Sequence, residues 1–261
     1  MEAILMPRIT RRDVLSTVGA ATLLAGCSES SSTSSGGFTK TTVENQQLIA
    51  EFESSLEAET ISVIDPAGES FAETSVATGA SRVTFDIPMP YAPGEYRLVA
   101  AAGDETLAET TQAIRPELEI VDVGVGANRL DEMPEGLHFP DRQVYVTVKN
   151  EGTGPDGITR LEFSKEFPNS NTEREGSGIF DGNSGVEENE QKVVPKDEAT
   201  TLISWTLPFA DYESNCDSDS HLIDAEIRVQ PIISKRELEE AVEIRYSPSG
   251  SQNACNVSLE R

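Results

Sequence analysis

Val144-Tyr145-Val146-Thr147-Val148-Lys149-Asn150-Glu151-Gly152-Thr153-Gly154-Pro155 is the stretch whose reading decides the fold. Valines fall at every second position against Tyr145, Thr147 and Lys149, the period of a strand with one buried face. The run then breaks into Asn, Gly and Pro. Gly and Asn accept the positive φ that tight turns need, so a chain reversal is expected at Asn150-Glu151-Gly152. Ile158 to Phe163 resumes on the far side as the partner strand.

The same period extends in both directions. Downstream lie Ile203, Trp205 and Leu207, then Ile223, Ala225, Ile227 and Val229 with acids and Arg228 opposite. Val242, Ile244 and Tyr246 follow, and Val257 and Leu259 supply a last strand. Ser234 to Glu240 has the start of a capping box, but period-two runs flank it, so a hairpin is expected. Upstream, Leu118 to Val123 opens the unit. Before it, Val83, Phe85 and Ile87 oppose Arg82, Thr84 and Asp86, while Tyr96, Leu98 and Ala100 oppose Glu95 and Arg97. Asp65-Pro66-Ala67-Gly68, Ala92-Pro93-Gly94 and Ala102-Gly103-Asp104 supply turns between these runs. Arg115-Pro116 marks a join with almost no linker. The expectation is an all-β chain of two tandem antiparallel β-sandwiches, a small one over 41–115 and a larger one over 116–261. The larger one carries a long insert at 168–191. The smaller can bury only a modest core and should be the less stable.

The first forty residues read differently. Arg8, Arg11 and Arg12 precede the apolar run Val14 to Leu24, and Leu24-Ala25-Gly26-Cys27 closes it. That run is shorter than the about 20 apolar residues a bilayer crossing takes. Thr10 to Leu15 resembles a twin-arginine export signal, and Leu24 to Cys27 resembles the lipobox of lipoproteins. That resemblance implies a signal peptide over 1–26, cleavage before Cys27 and a lipid on its sulfur. Ser28 to Gly37 is a Ser/Gly-rich tether, taken with its flanks as 27–40.

Formal charge is −26, from 46 acidic against 20 basic residues spread along the chain. Because apolar alternation persists through the acidic stretches, a folded protein adapted to strong salt explains this better than disorder. The composition resembles that of haloarchaeal proteins. So negative a surface argues against nucleic acid as a partner. Removing Cys27 for lipid leaves Cys216 and Cys255, an even pair in an exported chain, which reads as a disulfide.

Two stretches resemble known surface modules. Pro93 to Leu98 is similar to the proline-glycine-x-tyrosine strand of Ig-like surface domains. Lys149 to Pro155 with its flanking strands resembles CARDB-like Ig-type adhesion modules over about fifty residues. Trp205 precedes both remaining cysteines, so the likeness is to the sandwich and not to the antibody disulfide core.

Catalytic, metal and cofactor signals are weak. His138 and His221 are the only histidines, no serine sits in a Gly-x-Ser-x-Gly elbow, and no cofactor motif is present. Asp181-Gly182-Asn183-Ser184-Gly185 has part of a calcium loop but lacks its third acid and distal glutamate. His221 with Asp217 and Asp219 reads as a solvated acidic loop beside the disulfide. Asn256-Val257-Ser258 is the one N-glycosylation sequon, which makes Asn256 the candidate site. The resulting expectation is a non-catalytic, lipid-anchored protein on the outer face of the cytoplasmic membrane. It would contact a surface-layer protein, a glycan or another surface protein. A calcium-dependent or solute-binding receptor subunit is the alternative, and a carboxylate-based hydrolase a more remote one.

Overall fold

The computed structural model describes residues 36–171, 176–180, 191–209, 221–248 and 255–261, and among them the regular structure is strand apart from three short 3₁₀ turns. The smaller unit contains β1 (Phe38–Glu44), β2 (Gln47–Phe52), β3 (Thr60–Ile64), β4 (Ser70–Ser75), β5 (Arg82–Asp86), β6 (Gly94–Ala102) and β7 (Glu105–Ile114). The larger contains β8 (Leu118–Val125), β9 (Val144–Asn150), β10 (Asp156–Phe163), β11 (Lys192–Val194), β12 (Ala199–Ile203), β13 (His221–Pro231), β14 (Leu238–Pro248) and β15 (Cys255–Glu260). Every strand pair is antiparallel. No helix among the described residues is long and apolar enough to cross a membrane.

Four sheets close on two cores. Sheet β1-β2-β5 and sheet β4-β3-β6-β7 both contribute to the first, through Leu48, Phe52 and Phe85 on one side and Ile61, Tyr96 and Leu98 on the other. Sheet β12-β9-β8 and sheet β11-β10-β13-β14-β15 share the second, where Val146, Val148 and Leu202 meet Leu161, Ile227 and Ile244. Removal of these alternating side chains from water is the main stabilising term of each unit. The expected hairpin around Ser234 is present: β13 pairs with β14 from His221↔Tyr246 to Val229↔Leu238.

Three local readings change. β1 starts at Phe38, ahead of residue 41 where the sequence period becomes legible. Its two-residue turn, Asn45-Gln46, has φ of 48° and 59°, the double positive-φ hairpin normally written with glycine. β12 ends at Ile203, and its core-facing residue is Leu202; Trp205 and Leu207 lie beyond the strand and line a groove outside that core. Gly152, finally, does not serve a positive φ. A Cβ there would lie 2.3 Å from the Arg115 carbonyl oxygen and 2.4 Å from the Glu117 nitrogen, so close backbone approach is what requires glycine.

The two cores are joined by specific contacts. Tyr91 Oη donates to the Pro155 carbonyl at 2.7 Å, and the Thr153 and Gly154 amides both donate to the Arg115 carbonyl. Burial, then the negative charge of Asp156, push the Tyr91 phenol well above its ordinary range. Ile233, from the β13–β14 turn, is buried in the first unit's core. Asp156 holds that turn in place. Its carboxylate, wholly buried, accepts from the Gly157, Ile233 and Ser234 amides at 2.7, 2.8 and 3.1 Å. Asp156→Ala will lower stability by about 3 kcal/mol, because it strands these donors away from water. Denaturation followed separately in the two units will then show unequal midpoints. Coincident transitions with unchanged stability would refute this role for Asp156.

Candidate binding groove

The 126–143 connection between β8 and β9 folds over one end of the larger unit through turns at 126–128, 130–132 and 140–142. Beside it, the segment before residue 181 bonds to the outer edge of β12. Ile179 bridges to Ser204, the Phe180 amide donates to the Ile203 carbonyl, and the Trp205 amide donates to the Gly178 carbonyl, the last two at 2.8 Å. Gly178 permits this with φ +69°; a Cβ there would lie 2.3 Å from the Leu161 carbonyl oxygen. Phe180 and Trp205 are thereby stacked, with centroids 6.0 Å apart and planes 15° off parallel.

With Leu137, His138, Phe139 and Leu207, these rings wall a groove of about 330 Å³. Phe139 is half exposed, and the Arg142 guanidinium sits 5.5 Å from its ring centroid, a cation–π contact that steadies it. Gln143 also lines the groove and is 4% exposed. Its Nε2 donates to the Ser204 carbonyl at 2.8 Å, while its Oε1 is covered by protein and has no hydrogen-bond partner among the described residues. Ser204 fixes the floor: its hydroxyl accepts from the Val144 amide and donates to the Thr206 carbonyl.

A buried amide oxygen without a donor is costly, and so is an aromatic surface left to water. The half-exposed Phe139 beside the stacked rings of a concave, aromatic groove makes this spot the candidate site. The larger trough beside β8, about 840 Å³, has a different character. It is walled by Glu117, Glu119, Glu237, Glu239 and Glu240 against Arg236 and Arg261. Arg261 already donates there to the Ile120 and Val121 carbonyls and pairs with Glu240. Near the groove, Tyr145 packs on Gly124 under Arg129, whose guanidinium is 4.6 Å from the ring centroid and pairs with Asp122. Burial first, and Asp122 second, raise the Tyr145 phenol above its ordinary value.

Of the residues singled out from sequence, His138 stands on the groove rim. Asn256 is exposed on β15, opposite Ser247 of β14, while Val257 of its sequon is buried in the core. Cys255 begins β15 opposite Pro248, and His221 begins β13 opposite Tyr246. Cys27, Cys216, Asp217, Asp219 and Asp181 to Gly185 lie outside the described residues. Among the described residues, no three His, Cys, Asp or Glu side chains are grouped to hold a metal. Sequence reasoning missed Phe139, Gln143 and Phe180. The only signal for Phe139 and Phe180 was an apolar side chain outside any strand period, in segments that otherwise read as loop; Gln143 carried none.

No protein-family model matches the chain. No curated protein matches it either. Among solved structures, a β-glucuronidase from glycoside hydrolase family 2 aligns at 10% identity and TM-score 0.25, over 85% of this chain and 20% of that one. Salmonella alpha-2-macroglobulin reacted with methylamine aligns at 12% identity and TM-score 0.19, over 85% of this chain and 16% of that one. The chain thus spans a fifth or less of each, and likeness this low carries no argument.

Proposed function

We propose that this chain is an exported lipoprotein, held by a lipid on Cys27 at the outer face of the cytoplasmic membrane. Its tandem Ig-like sandwiches serve a non-catalytic binding role on the cell surface. The leader supports the location: a basic start, a short apolar run and Leu24-Ala25-Gly26-Cys27, followed by a Ser/Gly tether. One acyl chain holds a protein only marginally, so durable anchoring needs two. The groove carries the role, because exposed Phe139 beside stacked Phe180 and Trp205 is surface left unsatisfied by the chain's own fold. Presentation is then the mechanism. The lipid fixes one end, the tether gives reach, and the joint around Asp156 keeps the two cores from swinging independently.

Cys27→Ser tests the anchor. The variant will be secreted into the medium or accumulate as unprocessed precursor, read by fractionation and by the mass of the N-terminal peptide. Membrane attachment equal to that of the natural chain would overturn the lipoprotein reading.

A further inference from the structure

We infer that two copies of this chain pair through β5, edge to edge about a two-fold axis. The contact is separate from the groove and does not depend on the surface role proposed above.

β5 is an edge strand, paired with β2 alone. Its ladder fixes which backbone groups look outward. The Phe52 amide donates to the Ser81 carbonyl at 2.9 Å, and the Ile87 amide to the Gln46 carbonyl at 2.8 Å. Hydrogen-bonded pairs alternate along an antiparallel ladder, so Val83 and Phe85 also bond to β2. Arg82, Thr84 and Asp86 then turn their N–H and C=O groups to the open side, where nothing among the described residues meets them. Natural edges are commonly blunted by a bulge, a proline or a lysine. β5 has none of these, and its register with β2 is unbroken.

The side chains select the partner. Arg82, Thr84 and Asp86 share the exposed face, while Val83 and Phe85 face the core. Antiparallel pairing centred on Thr84 sets Arg82 opposite Asp86 of the second copy, and Asp86 opposite its Arg82. Opposite charges directly across strands attract, and a patch that complements itself is what a two-fold contact requires. The same register sets each outward N–H against an outward C=O. Gln47 steadies Asp86, its Nε2 donating to Oδ1 at 2.8 Å. Arg82 makes no ion pair among the described residues. Of the described edge strands, only β1 and β5 carry both a cation and an acid. β1, with Lys40 and Glu44, is bulged after Phe38 and lies beside β7. An unrelated extended peptide finds hydrogen bonds at any free edge; a copy of β5 finds its charges answered as well.

Pairing of one five-residue strand buries less than about 1,200 Å², the range of weak interfaces, so a dissociation constant of about 10–100 μM is expected. Each copy carries −26, and molar salt confines that repulsion to neighbours. In molar salt, sedimentation velocity of the full mature chain with Cys27→Ser, which takes no lipid, will show monomer passing to dimer as concentration rises. Arg82→Asp and Asp86→Arg each set like charges against each other twice, and each will weaken the dimer about tenfold or more. Mixed in equal amounts, the two variants will associate as tightly as the natural chain, because each answers the other's charge. Near-ultraviolet circular dichroism of both will match that of the natural chain, since both side chains are exposed. A natural chain that keeps the mass of a monomer up to about 1 mM overturns the inference. So does a dimer that both variants leave intact, or one that both abolish and their mixture does not restore.

Discussion

Asn150→Ala will lower the stability of the folded chain by about 4 kcal/mol, a loss at the upper end for one side chain. Asn150 is wholly buried, and every hydrogen-bonding capacity of its amide is used. Oδ1 accepts from the Glu117 amide at 3.1 Å and the Gly152 amide at 3.0 Å. Nδ2 donates to the Gly154 carbonyl at 2.8 Å and the Val194 carbonyl at 3.1 Å. One side chain thus ties together the end of β9, the turn after it, the entry to β8 and the end of β11. Alanine removes the partner of all four backbone groups at once and leaves them out of bulk water. Asn150→Asp keeps the acceptors, loses both donors and adds a buried charge, so it will be at least as damaging. Denaturant titration in strong salt measures both. A loss below about 1 kcal/mol would show that water replaces the amide and that the turn is not held by it.

Withdrawing salt has the larger effect. The chain will lose its near-ultraviolet circular dichroism as ionic strength falls from molar to millimolar. Screening length grows from about 3 Å at 1 M to about 30 Å at 0.01 M and further below that, so repulsions now confined to neighbours extend across each unit. The register shows where the strain sits. Asp224 of β13 is directly opposite Glu243 of β14, and Glu243 is opposite Glu260 of β15, all three on the exposed face. Like charges placed directly across strands are destabilising. Arg245 offsets part of this, by a bidentate pair with Glu260 at 2.5 and 2.7 Å and by its attraction to Glu243 on the same face. That pair holds the Glu260 carboxyl below its ordinary pKa. Its contribution is therefore present above the ordinary carboxylate value and is lost as pH falls through the lowered one. Glu243→Lys will raise the melting temperature in dilute buffer and change it little in molar salt. Full tertiary signal of the natural chain in millimolar salt would remove the halophile reading.

Legibility in the sequence followed burial. Where a strand has one face in the core and one in water, as in β5, β6, β13 and β14, the alternation can be read directly. It fails where a second layer covers the outer face. On β9, Tyr145 is buried like the valines because Arg129 and Gly124 cover it. On β12, Leu202 and Ile203 are both buried but only Leu202 belongs to the core cluster, so composition could not say which faced inward. β1 and β2 were obscured by a turn, Asn45-Gln46, without glycine. The groove was illegible for a related reason. Phe139, Gln143, Phe180 and Trp205 come from three separated segments, and nothing in their spacing announces that they meet.

By itself the sequence determined the class: period two through acidic stretches makes strands, and Gly, Pro and Asn end them. It also determined the sign of the protein's field, since charge needs no folding to be counted. Tertiary structure alone decided that Asn150 is a four-way tie, that Gly152 is required by a passing backbone, and that Asp156 pins a turn carrying Ile233 into the other core. Those depend on which distant groups meet out of water, and the cost of a buried polar atom exists only once its neighbours are in place.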